Sequence, residues 1–152
     1  MKILMVCLGN ICRSPLAHGI MQALIDKDGL DWQVDSAGTG DWHVGQAPDR
    51  RSIAAAKSYG LDISTQQAQW FQPEMFDRFD KILVMDRQNY RDVIDQAKTD
   101  EQREKVTLFL PEGEVSDPYF DDTMFEPVYD MIAAQAQVLL KTWQSEKQED
   151  SV

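Results

Sequence analysis

Four short apolar runs, separated by stretches with helical spacing and helix caps, predict a doubly wound α/β sheet with right-handed crossovers. The runs Lys2 to Leu8, Gln33 to Ser36, Lys81 to Met85 and Val106 to Leu110 have the length and continuity of buried parallel strands. After the first run, Leu16, Ile20, Met21, Leu24 and Ile25 recur at helical spacing until Asp28-Gly29 ends the pattern. Asp49 is placed to cap a helix over Arg50 to Tyr59, with Gly60 as its stop. Asp86 caps Arg87 to Ala97 in the same way. From Met124 to Trp143, the residues Val128, Met131, Ile132, Gln135, Leu139 and Trp143 form a stripe that would close over the sheet. The segment 145–152 is polar, acidic and without periodicity, so it is expected to be a flexible tail following one domain at 1–144.

The turn after the first run carries the chemistry. Cys7-Leu8-Gly9-Asn10-Ile11-Cys12-Arg13-Ser14 places five residues between a cysteine and an arginine, at a strand end and a helix start. Successive backbone N–H groups in such a loop point inward at an anion, and the helix N-terminus adds its partial positive charge. That field binds phosphate and also favours a thiolate at Cys7. Arg13 offers a planar fork for two phosphoryl oxygens, and Ser14 a hydroxyl for the Cys7 sulfur. Pro15 suits a first helical position.

Other uses of the loop fit less well. It lacks the Gly-Lys-Ser/Thr ending of a nucleotide loop, and no Gly-x-Gly-x-x-Gly follows the strand. Two cysteines kept only for packing would leave Asn10, Arg13 and Ser14 unexplained. A metal site would need ligands beyond Cys7 and Cys12, and the histidines are His18 and His43 alone, so no metal or cofactor is expected.

Composition narrows the partners. The chain has 152 residues, 43% of them hydrophobic, enough for one domain with a core. A net charge of -11 argues against nucleic acid and anionic membranes, so the loop must hold its anion by local field. The first apolar stretch is too short for a signal sequence and no long apolar run follows, which predicts a cytoplasmic protein. A reducing compartment also suits two unpaired cysteines.

A thiolate facing a poor leaving group needs an acid, and Asp117-Pro118-Tyr119 is the best candidate, in a loop on the carboxyl-end side of the sheet. The dipeptide Asp-Pro is equally the signature of a plain turn. Three segments, Cys7 to Pro15, Asp35 to Trp42 (Asp-Ser-Ala-Gly-Thr-Gly-Asp-Trp) and Asp117 to Tyr119, together resemble the low-molecular-weight protein tyrosine phosphatases, and the resemblance covers nearly the whole chain.

That resemblance implies a four-stranded parallel sheet flanked by helices and a metal-free, two-step hydrolysis of phosphotyrosine in proteins, releasing inorganic phosphate. A tyrosine kinase would be the opposing partner. Cys7 then resembles the nucleophile, Asp117 the general acid and base, and Arg13 with the N–H groups of Leu8, Gly9, Asn10, Ile11 and Cys12 the oxyanion clamp. Ser14 would stabilise the departing sulfur, and Asn10 with Ser36 would form a pair supporting the loop. Leu8, Ile11, Trp42 and Tyr119 would wall a slot for an aryl ring, and Cys12 would resolve an oxidised Cys7 as a disulfide.

The chain departs from the family in the stretch after Gly60-Leu61-Asp62-Ile63-Ser64, where Gln66, Gln67 and Gln69 stand in place of a usual histidine and arginine. Gln66 is expected to brace the loop weakly, and His18 and His43 to be solvated or packing residues. Arsenate reductases would need further cysteines, and protein arginine phosphatases a threonine where Ile11 stands. A phosphotyrosine-binding or redox-sensing module without turnover is the reading from another class.

Overall fold

The computed structural model describes residues 1–150 and has four parallel strands: β1 (Lys2–Cys7), β2 (Gln33–Gly38), β3 (Lys81–Val84) and β4 (Val106–Leu108). Their order is β2-β1-β3-β4, so the chain leaves β1 to one side and returns on the other. The carboxyl ends of β1 and β3 flank the switch point, where doubly wound sheets hold their ligands.

Among the described residues six α-helices complete the fold: α1 (Arg13–Lys27), α2 (Arg50–Ser58), α3 (Met75–Arg78), α4 (Arg87–Ile94), α5 (Asp100–Glu104) and α6 (Phe125–Asp150). The period-two alternation of β1 divides the core. Ile3, Met5 and Cys7 join Leu16 and Met21 of α1, Ala56 of α2 and Val128 and Ile132 of α6. Leu4 and Val6 join Phe76 of α3 and Val93 of α4 on the other face. Every β1 side chain from Ile3 to Cys7 is buried, which is why that run carries no polar residue.

Two caps form as expected: Asp49 accepts from the Arg51 N–H and Asp86 from the Asn89 N–H. The helix starting at Arg87 ends at Ile94, short of Ala97. α3 and α5 were not foreseen, because four or five residues are too few to display a period. On α6 the buried stripe is Val128, Ile132, Ala136, Leu140 and Trp143, whereas Met131 is exposed and Leu139 only half-buried.

Over 145–150, part of the expected flexible tail, α6 continues to Asp150; residues 151 and 152 lie outside the described part. Trp143 is buried just before it, and Glu146 reaches Lys81 at the start of β3 at 3.6 Å. Packing of this kind carries a helix through a polar stretch that propensity alone would leave frayed.

Candidate active site

The register sets the site. Cys7, the last residue of β1, lies beside Gly38, the last of β2. A Cβ on Gly38 would stand 2.7 Å from the Leu8 carbonyl and 3.0 Å from the Asn10 nitrogen, so only glycine lets β2 run this close under the loop. The loop carbonyls are bonded outward: Cys7 O accepts from Thr39 N at 2.9 Å, Leu8 O from Gly40 N at 2.9 Å and Ile11 O from Asp49 N at 2.7 Å. Peptide planarity turns the N–H groups of Leu8, Gly9 and Cys12 away from those partners.

Asn10 is held with φ 57°, the left-handed region that costs most residues strain and that asparagine tolerates. Its side chain donates to Ser14 Oγ at 2.7 Å and accepts the Gln69 N–H at 2.9 Å. The Asn10–Ser36 pair is therefore corrected. Ser36 Oγ instead pairs with His18 Nδ1 at 3.1 Å, and the Gln69 side chain is fixed to β2 by donating to the Ser36 carbonyl at 3.2 Å and to Asp35 at 2.8 Å. Gln66 donates to the Pro15 carbonyl at 3.1 Å, bracing the first turn of α1 rather than the loop itself. Burial lowers the pKa of His18.

Ser14 Oγ, fully buried, stands 3.0 Å from Cys7 Sγ. Arg13, also buried, donates from Nη1 to Asp86 at 2.7 Å and to the Val115 carbonyl at 3.0 Å, and its Nη2 lies 3.7 Å from Asp117. Asp86 is the residue that sequence reasoning missed: one carboxylate oxygen caps α4 and the other orients Arg13. Its position just past a strand at the switch point was the available signal. Asp86→Ala is expected to lower unfolding stability by about 2–4 kcal/mol, from the lost cap and the unpaired Arg13 charge. Urea denaturation measures this, and a loss too small to resolve would contradict the pairing.

A cavity of about 220 Å³ is lined by Cys7, Cys12, Arg13 and Asp117 together. Leu8, Ile11, Trp42 and Tyr119 line it, together with Phe120 and His43. The imidazole edge of His43 lies so near Gly9 that a Cβ there would be 3.1 Å from Cδ2. Phe120 and Trp42 are the most exposed large apolar side chains, at 93% and 66%. Apolar rings left in water at a cavity mouth mark a surface kept for a ligand.

The Cys12 thiol is pushed up to about 12, chiefly by burial and then by Asp49, Cys7 and Asp117. The folded state thus holds this proton more tightly than the unfolded chain does. Its contribution to stability is whole below the ordinary thiol value of 9.0 and is lost as pH rises through about 12. Cys12→Ser should flatten the fall of the thermal midpoint between those pH values, and an unchanged slope in a pH series of melting curves would contradict this.

Comparison with known proteins agrees with this geometry. The sequence model for low molecular weight phosphotyrosine protein phosphatases matches residues 2–149. The chain is 37% identical over 137 residues to the human low molecular weight phosphotyrosine protein phosphatase, covering 84% of this chain and 86% of that one. It is 33% identical over 154 residues to the low molecular weight protein-tyrosine-phosphatase YfkJ of Bacillus subtilis, covering 97% and 98%. A protein tyrosine phosphatase structure from Entamoeba histolytica, with Hepes in its active site, superposes with a TM-score of 0.91 at 32% identity, covering 97% of this chain and 99% of that one. With a parallel sheet of matching architecture and the cysteine–arginine loop at its switch point, the chain belongs to the low molecular weight phosphotyrosine protein phosphatases and is a protein-tyrosine-phosphatase.

Proposed function

We propose that the protein hydrolyses phosphotyrosine in proteins through a cysteinyl phosphate formed on Cys7, without a metal. The observation that carries this reading is the convergence of Cys7, Arg13 and Asp117 on one cavity. The Cys7 thiolate attacks phosphorus in line, the bond to the tyrosyl oxygen breaks, and Asp117 gives that oxygen its proton. Arg13 and the loop N–H groups of Leu8, Gly9, Asn10, Ile11 and Cys12 hold the equatorial oxygens as charge spreads over them. Asp117 then takes a proton from a water whose oxygen attacks phosphorus, the new P–O bond forms as the S–P bond breaks, and inorganic phosphate leaves. Ser14, 3.0 Å from Sγ, donates to the sulfur as negative charge returns to it.

Asn10 and Gln69 keep the loop in its strained shape before substrate arrives, with Ser36 as the strand carbonyl that anchors Gln69. The walls favour a flat ring: Leu8, Ile11, Trp42 and Tyr119 are apolar or aromatic, and phosphoserine is too short to use them. If peroxide oxidises Cys7 to a sulfenic acid, attack by the Cys12 thiol forms the disulfide and releases water, giving a reversible inactive state. The partners are phosphotyrosine proteins, with a tyrosine kinase opposing the reaction.

Rates on p-nitrophenyl phosphate and on phosphotyrosine, phosphoserine and phosphoarginine peptides test the reading. Turnover confined to the aryl phosphates, with reductant and no added metal, is expected. Equal turnover of phosphoserine would overturn the assigned specificity, and tight binding of phosphotyrosine without turnover would turn the site into a binding module.

A further inference from the structure

Behind the cavity wall, without lining it, stands Arg51 in the first turn of α2. Its Nε donates to one Asp49 carboxylate oxygen at 3.0 Å and its Nη2 to the other at 2.9 Å, while Nη1 donates to Asp122 at 2.6 Å. The guanidinium carbon lies 5.4 Å from the Tyr119 ring centroid and 4.5 Å from that of Phe125. Asp49 is itself fixed to the phosphate loop, since its N–H donates to the Ile11 carbonyl. One planar cation therefore joins that loop to the segment carrying Asp117.

That segment needs holding. Between β4 and the short 3₁₀ turn at Asp122–Met124 there is no regular element, so the sheet does not place Asp117. On one side of Asp117, Val115 is tied by its N–H to Met85 at 2.8 Å and by its carbonyl to Arg13 at 3.0 Å. On the other side Pro118 is buried, and beyond it Arg51 ties Tyr119 and Asp122. The Asp117 carboxylate accepts only its own loop's Tyr119 N–H, at 3.1 Å, and lies at a loose 3.7 Å from Arg13. Its aim thus depends on where the two flanking points are pinned.

We propose that Arg51 is a positioning residue for the general acid, pinning Tyr119 and Asp122 to the Asp49 end of the phosphate loop so that Asp117 is held over Cys7. This rests on the assignment of Asp117 as the acid. A fork that grips two carboxylates and stacks on two rings is a task for arginine, which lysine would meet with a single charge. The Asp122 side chain is 82% exposed, and exposed ion pairs add little to stability, so the effect belongs to the rate.

The test is kcat/KM of Arg51→Ala, Arg51→Lys and Asp122→Asn on phenyl phosphate, whose leaving group is nearly as basic as tyrosine's, and on p-nitrophenyl phosphate, whose leaving group needs little protonation. Loss of a positioned acid should lower the phenyl-to-nitrophenyl ratio by about 10-fold or more in Arg51→Ala, within the range a general acid supplies. Arg51→Lys should fall between it and wild type, and Asp122→Asn should shift the ratio the same way by less. In an Asp117→Ala background Arg51→Ala should cost nothing further. Equal losses on both substrates, or a loss that multiplies in full with that of Asp117→Ala, would overturn the proposal. Should Arg51→Ala not fold, unchanged ratios in both Arg51→Lys and Asp122→Asn would overturn it alone. Failure of the underlying assignment is distinct, because Asp117→Ala itself would then leave the ratio unchanged.

Discussion

Cys7→Ser should abolish turnover of every aryl phosphate while inorganic phosphate still binds. The substitution replaces a soft nucleophile by a hydroxyl that stays protonated, and no base stands beside it: the neighbour of Sγ is the Ser14 hydroxyl at 3.0 Å. Binding survives because the clamp lies elsewhere. Arg13 is fixed by Asp86 and Val115, and the loop carbonyls are held outward by Thr39, Gly40 and Asp49, none of which involves the sulfur. The loss should reach the assay's background, consistent with removal of a nucleophile costing up to about 10⁶-fold in other enzymes. Steady-state kinetics and a phosphate titration by calorimetry check both halves, and residual turnover above background, reproducible in fresh preparations, would remove Cys7 from its role.

Asp117→Ala is the second large effect, expected at roughly 10²- to 10⁴-fold in kcat/KM for phenyl phosphate, the usual worth of a positioned acid. The loss should shrink for p-nitrophenyl phosphate, whose leaving group departs without a proton. Substrate affinity should change little, since the phosphoryl oxygens are held by Arg13 and the loop, which the substitution leaves in place. Equal rates for wild type and variant on a phosphotyrosine peptide would refute the assignment.

How far the sequence could be read follows a physical divide. The central strands β1 and β3, buried on both faces, appear as apolar runs, and the edge strands β2 and β4 were legible despite their polar residues, as was the loop, whose residues are contiguous and constrained by one anion. The parts that escaped depend on contacts between distant residues. Asp86 was recognised only as a cap because capping is local, whereas its bond to Arg13 spans 73 residues. The same holds for Asn10: its short-range partner Ser14 follows from the loop, but its other partner is the Gln69 backbone, 59 residues away, instead of Ser36. Arg51 lies within the helix expected over Arg50 to Tyr59, but its bond to Asp122 spans 71 residues. That α6 runs on through the acidic stretch 145–150 was not legible for a related reason: its composition shows no helical period, and the burial of Trp143 before it is a tertiary fact.

The central claim is a covalent phosphoryl group on Cys7, and trapping it tests that claim most directly. The Asp117→Ala variant, mixed with excess p-nitrophenyl phosphate and quenched in acid within its first turnovers, should show a phosphoryl mass on the peptide containing Cys7 and on no other peptide. The label should be absent from Cys7→Ser treated identically. Turnover without any labelled peptide, or a label on a residue other than Cys7, would contradict the account.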